Sequence, residues 1–193
     1  MMKRLLFIGG TSFFGKLAIE QLLSSKQYSI SILTRGNTVC NFNSRYVSFI
    51  KADRSDVTSL SAALKNQYFD IVVDNIAYNG NDVKIILDVL AGKIEHYLLC
   101  STGSVYPRIG PKEWQEHEAV LDFLPEQRPY ANGKREAESQ LLGYSDVPYT
   151  IYRPTVVQGE NDPTCRVQYF VDRISRQIHF YVSVTPSTPS QTI

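Results

Sequence analysis

Several things are scarce in this chain. Among its 193 residues there are three cysteines, one tryptophan and a net charge of +1. Cys40, Cys100 and Cys165 are odd in number and far apart, so neither a disulfide framework nor a metal-ligand spacing is visible. A reducing cytoplasm is the expected setting. The near-neutral charge gives no electrostatic case for nucleic acid or an anionic membrane surface. No apolar run reaches membrane-spanning length. The basic start, Met1-Met2-Lys3-Arg4, leads into an apolar stretch that stops at Ile8, too short for a secretory signal. What remains is ordinary globular composition, 43% hydrophobic and 20% charged, with enough length for a sizeable core.

Short β-branched runs alternate with helical patterns. Strands are expected at 5–8, 29–33, 46–51, 71–75, 97–101 and 149–152. Helices are expected at 15–25, 57–66, 82–91, 130–142 and 164–176. Asp82 is the expected N-cap of the third helix, with Val83, Ile86, Leu87 and Leu90 on one apolar face. This alternation predicts an α/β fold, a Rossmann-like doubly wound parallel sheet with helices on both faces. One such domain is expected over residues 1–182, with a frayed Ser/Thr/Pro-rich tail at 183–193. The proline- and charge-rich segment 107–129, which holds Trp114, is expected to run over the strand ends.

The first strand empties into Gly9-Gly10-Thr11-Ser12-Phe13-Phe14-Gly15, and a helix follows at once. That order is the fingerprint of a dinucleotide-binding βαβ unit. Gly9 permits the tight turn, and Gly15 lets the helix pack close to the strand. Ser12 replaces the middle glycine and offers a hydroxyl to a phosphate oxygen. The second strand ends at Thr34-Arg35-Gly36, where an NAD site usually carries an acid. Arginine can instead hold a 2′-phosphate, which favours NADP while leaving NAD open. Asp53 and Arg54 end the third strand, where Asp53 could bond the adenine amino group, and small Ala77 at the fourth would let the cofactor pass closely.

Ser101-Thr102-Gly103-Ser104-Val105-Tyr106 follows the fifth strand, and Tyr130-Ala131-Asn132-Gly133-Lys134 opens a later helix. Tyr130 and Lys134 fall one turn apart on one face. An ammonium near the phenol is expected to lower its pKa and let it exchange a proton with a substrate oxygen held by Thr102 or Ser101. A Tyr-x-x-x-Lys match is common by chance, so its place in the chain carries the information. The bland alternative for Lys134 is a solvated lysine pairing with Glu138.

Together these residues resemble the extended short-chain dehydrogenase/reductase family, the nucleotide-sugar epimerases and dehydratases. The resemblance runs from Lys3 to about Arg176. Ser101-Thr102-Gly103-Ser104-Val105-Tyr106 is similar to that family's Ser-Ser-x-x-Val-Tyr segment, which aligns Thr102 with the catalytic Ser/Thr. Tyr152-Arg153-Pro154-Thr155-Val156-Val157-Gln158-Gly159 resembles its Arg-Pro-x-x-x-x-Gly loop, which lies beside the nicotinamide and brings in Pro154. The Gly-Gly-Thr-x-Phe-x-Gly turn resembles one branch, containing bacterial epimerase-like proteins and chloroplast stem-loop RNA-binding proteins. The tyrosine often lost in that branch is present here. The resemblance implies Tyr130 as base, Lys134 on the nicotinamide ribose, a nucleotide-sugar substrate and a homodimer through the third and fourth helices. The alternative is a silent NAD(P)-binding sensor or RNA-associated protein on the same fold. Members of the family continue into a small C-terminal substrate domain that this sequence does not match. The sequence is expected to be a truncated form or to lack the substrate site.

Overall fold

A computed structural model describes residues 2–107, 114–125 and 128–179. The expected tail lies outside these residues, as do the last three positions of the expected domain.

Six strands form one parallel sheet: β1 (Lys3–Ile8), β2 (Tyr28–Thr34), β3 (Val47–Lys51), β4 (Phe69–Asp74), β5 (Ile94–Cys100) and β6 (Tyr149–Tyr152). Their order across the sheet is β3-β2-β1-β4-β5-β6. The connections are α1 (Phe13–Ser24), α2 (Val57–Leu64), α3 (Gly80–Val89) and α4 (Pro129–Leu142), and α5 (Arg166–Ser175) follows β6. All the expected elements are present, with no end displaced by more than three residues. The chain reverses direction across the sheet between β1 and β4, where a doubly wound sheet opens a crevice at its strand C-termini.

Alternation along β1 builds the two layers of the core. Leu6 and Ile8 face a cluster with Leu60 and Leu64 of α2, Val83, Ile86 and Leu87 of α3, and Ala137 and Leu141 of α4. Leu5 and Phe7 face Ile19 of α1, Ile30 and Ile32 on the other side. Buried on both faces, β1 reads as the continuous apolar run Leu-Leu-Phe-Ile.

One expected cap is displaced. Asn79, not Asp82, caps α3, accepting the Asp82 amide at 3.0 Å. Asp82 sits in the first turn, where its carboxylate accepts the Tyr78 amide at 2.7 Å. The apolar face expected for α3 is buried, but the helix starts earlier because Asn79 is as good a cap as aspartate and stands at the strand exit. None of the helices is long and apolar enough to cross a membrane, among the described residues.

Candidate active site

The turn after β1 has the shape its glycines suggest. Gly9 holds φ +87°, a region open to glycine. A Cβ on Gly15 would stand 2.3 Å from the Gly9 carbonyl oxygen, so only glycine lets α1 approach β1 this closely. Phe13 follows at φ 46°, an uncommon value for an aromatic residue. Strain of this kind concentrates at ligand-holding turns. Ser12 is the N-cap, yet its side chain makes no capping bond. Its hydroxyl and the first N–H groups of α1 are therefore left for an anion.

A cavity of about 300 Å³ opens beside this turn, at the C-terminal ends of β1, β2 and β3. Gly9, Thr11, Thr34, Arg35, Asp53 and Arg54 line it. Six residues singled out from sequence thus converge on one hollow. Thr34 accepts the Gly36 amide at 3.1 Å, shaping the turn that exposes Arg35. Asp53 is tied to its own turn, accepting the Ser55 amide at 2.9 Å and the Ser55 hydroxyl at 2.7 Å. These two bonds hold its carboxyl below the usual range. Phe13 and Phe14 pack edge-to-face at the start of α1.

Arg54 has other partners than those expected. Its terminal nitrogens bind both carboxylate oxygens of Asp74 at 2.8 Å, and one also binds the Asp82 carbonyl at 2.8 Å. Tyr97, fully buried, donates to the same Asp74 carboxylate at 2.6 Å. Arg54 lines the cavity with its guanidinium already committed to a buried bidentate pair.

On the far side of β4, the catalytic candidates meet. Thr102 leaves β5 as the cap of a short 3-10 turn (Gly103–Val105), accepting the Ser104 amide at 3.2 Å. Tyr130 stands in the first turn of α4, where Pro129 starts the helix. The Thr102 hydroxyl is near enough to the Tyr130 phenol to favour its ionised form. The neighbouring Ser101 hydroxyl is buried and has no hydrogen-bond partner among the described residues. Gly103, after Thr102, donates its amide to the Pro154 carbonyl at 2.9 Å, which ties the loop after β6 to this turn.

Lys134 is neither solvated nor paired with Glu138. It is 2% exposed, and its ammonium donates to the carbonyls of Ala77 at 2.7 Å and Cys100 at 2.8 Å. Ala77, expected to give the cofactor room, is fully buried and contributes this carbonyl. The ammonium lies 5.1 Å from the ring centroid of Tyr78 and 5.8 Å from that of Tyr130. Burial depresses its pKa. The expected lowering of the Tyr130 pKa does not appear. Burial raises it, with Thr102 working the other way, because the ammonium is turned to two backbone carbonyls rather than to the phenol oxygen.

Close helix packing makes this arrangement possible. A Cβ on Gly133 would stand 2.3 Å from the Tyr78 carbonyl oxygen, and one on Gly80 3.1 Å from that of Glu136. Glycine at both places brings the loop after β4 onto α4, within reach of Lys134.

Sequence reasoning missed four polar residues on which this geometry rests. Arg135 is fully buried and donates to the carbonyls of Val105 and Val120 and to Asn132. Asn132 in turn clasps the backbone of Leu124 through two bonds, at 3.1 and 2.8 Å. Glu138, fully buried, receives Arg153 in a bidentate pair at 2.9 and 2.7 Å. Arg153 also donates to the Tyr106 hydroxyl and the Glu116 carbonyl. Segment 107–129 is thereby pinned to α4 where it is described, and Trp114 stacks on Tyr106. The available signal was the density of long polar side chains beside Tyr130.

A larger hollow, about 650 Å³, lies along α5 and is lined by apolar side chains such as Val156, Val167 and Ile174. It contains none of the candidate residues.

The profile of a family described as NAD(P)H-binding matches residues 9–177. Phenylcoumaran benzylic ether reductase 1 of Arabidopsis thaliana is 27% identical over 117 residues, covering 55% of this chain and 37% of that protein. The chain thus spans little more than a third of that curated relative. Among solved structures, the Bordetella bronchiseptica enzyme WbmG in complex with NAD and UDP aligns with a TM-score of 0.79 at 19% identity, covering 94% of this chain and 62% of that one. The dTDP-glucose 4,6-dehydratase of Bacillus anthracis str. Ames, in complex with NAD, aligns at 0.75 and 20% identity, covering 92% and 62%. These likenesses show the fold, a Rossmann-like doubly wound α/β sheet.

Proposed function

Since the chain belongs to the NAD(P)H-binding family, we propose that it binds NADP(H) across the β1/β4 crevice and carries out proton transfer coupled to nicotinamide redox chemistry. The observation that carries this reading is the meeting of Thr102, Tyr130 and Lys134 beside β5, next to a cavity lined by Gly9, Thr34 and Arg35.

The turn at Gly9–Gly15 fits a pyrophosphate: its glycines leave room, and Ser12 and the first turn of α1 have donors to spare. Asp53 and the cavity around it would take the adenosine. Arg35 would hold a 2′-phosphate, and Lys51 supports it, its ammonium 3.9 Å from where a Gly36 side chain would begin. The buried Ser101 hydroxyl, without a partner among the described residues, is there for a ligand to meet. Lys134 would hold the nicotinamide ribose, and Pro154 would border the ring. When bound, the nicotinamide supplies or accepts hydride. Thr102 positions the substrate oxygen, and Tyr130 gives it a proton in reduction or takes one in oxidation.

The raised pKa of Tyr130 favours the donor role, since the phenol stays protonated at neutral pH. Carbonyl reduction is expected to be flat through neutral pH and to fall only above about pH 10, as the phenol ionises. Oxidation of the corresponding alcohol rises over the same range. A reductive limb falling near pH 7 would show instead that the ammonium turns onto the phenol in the loaded protein.

The substrate class is a hydroxyl or carbonyl compound. A nucleotide sugar is the reading that the fold neighbours suggest, whereas the plant relative is named as a benzylic ether reductase. A cytoplasmic homodimer through α3 and α4 completes the proposal. A silent cofactor-binding protein is the second reading, favoured by the commitment of Lys134 to two carbonyls.

Fluorescence titration with NADPH and NADH tests the binding, with tighter binding of NADPH expected. Turnover against UDP-, dTDP- and GDP-sugars and small carbonyl compounds tests the chemistry. Tyr130→Phe is expected to lower the rate by about 10²–10⁴ with cofactor affinity retained. Turnover unchanged by that substitution removes Tyr130 as the proton carrier, and tight binding without turnover supports the silent reading.

A further inference from the structure

Arg54 stands at the end of β3, on the adenosine side, and its charge is answered by two acids from elsewhere. It binds Asp74, at the end of β4, through two 2.8 Å bonds. It also holds the Asp82 carbonyl at 2.8 Å and lies 3.7 Å from the Asp82 carboxylate in α3. The two carboxylates each accept one amide of the loop between β4 and α3. Asp74 takes Ile76 at 3.1 Å, and Asp82 takes Tyr78 at 2.7 Å. Ala77 lies between these two anchored amides, and its carbonyl receives the Lys134 ammonium at 2.7 Å. The same loop meets the phosphate turn, since a Cβ on Gly9 would stand 2.6 Å from Ile76.

We infer that Arg54 is a positioning residue for Lys134, a clamp that fixes residues 76–78 through Asp74 and Asp82 and so ties the adenosine cavity to the nicotinamide end of the groove. The clamp is carried by the terminal nitrogens, since the buried Nε makes no hydrogen bond among the described residues and lies 3.7 Å from the Asp82 carboxylate. The place of Arg54 in the cavity wall makes it the element through which the two halves of the site share one loop. The inference rests on the proposed cofactor groove for its consequence, but not for the clamp itself.

Two measurements test it. The first needs no cofactor: amide hydrogen exchange at Ile76 and Tyr78. Arg54→Lys keeps the charge and loses the fork, and is expected to speed exchange at both amides about tenfold or more. Asp82→Ala, which spares the Arg54–Asp74 pair, is expected to release Tyr78 while leaving Ile76 within about twofold. This second variant keeps the test decisive if Arg54→Lys folds poorly. Unchanged exchange at Tyr78 in Asp82→Ala, or at both amides in a folded Arg54→Lys, overturns the clamp.

The second measurement compares NADPH with 2′,5′-ADP, which reaches only the adenosine end. Both variants are expected to weaken NADPH about tenfold and to leave 2′,5′-ADP within about threefold. Equal loss of both ligands would make Arg54 a direct adenosine ligand and overturn the coupling. Binding of neither ligand by the unaltered protein would remove the proposed function, while the exchange comparison would still decide the clamp.

Discussion

Helices α4 and α5 invert the usual relation between sequence pattern and burial. α5 separates apolar from polar residues more sharply than any other helix described, yet none of its residues is buried. Val167, Phe170, Val171 and Ile174 stay about half exposed or more. α4 is mostly polar and has seven buried residues, among them Asn132, Lys134, Arg135 and Glu138. The difference is one of partners. α4 lies against the strand ends of β4, β5 and β6, where backbone carbonyls and Arg153 satisfy its polar groups. α5 has apolar side chains and little in the described residues to set them against. An amphipathic stripe states what a helix can bury, whereas a buried polar face states what has already been matched to it.

Substitutions on the two helices sharpen this contrast. Glu138→Ala leaves Arg153 without its bidentate partner in a largely buried place. It is expected to cost about 3–5 kcal/mol in chemical denaturation, because one member of a buried pair is lost. A loss below about 1 kcal/mol would mean that α4 does not depend on this pair. Gly133→Ala drives a methyl group against the Tyr78 carbonyl and is expected to cost about 1–3 kcal/mol. It should also weaken NADPH binding, since α4 and the loop after β4 must part. The smallest effect is expected on α5, where Ile174→Ser should change stability by less than about 0.5 kcal/mol. A larger cost would show that the apolar face of α5 is covered in solution.

The same contrast explains what was readable in the sequence. Local rules found the Gly9–Gly15 turn, the order of strands and helices, and the Tyr130–Lys134 pair, because each depends on neighbours a few residues apart. Thr34, Arg35 and Asp53 were found by counting from strand ends, and they line one cavity. The partners of Arg54 and Lys134 were not readable, since each finds them in distant segments. Arg54 meets Asp74 across 20 residues, and Lys134 meets Ala77 across 57. Asp82 failed as a cap for a related reason: Asn79, three residues earlier, took that place and left the aspartate free to hold Tyr78 and Arg54. Charged residues in a helix read as solvated until the fold supplies something for them to bind. Here the fold supplied carbonyls at the ends of parallel strands.

The sheet order has a consequence for the chain as it is synthesised. β1 is an inner strand, and its second neighbour is β4, so Gly9 waits for Asn75, 66 residues later, before its carbonyl is met. At roughly 5–20 residues per second, that interval is about 3–13 s, in which an apolar strand has one edge unpaired. The glycine turn is made before β4, and it takes its final shape only when the far side of the crevice arrives.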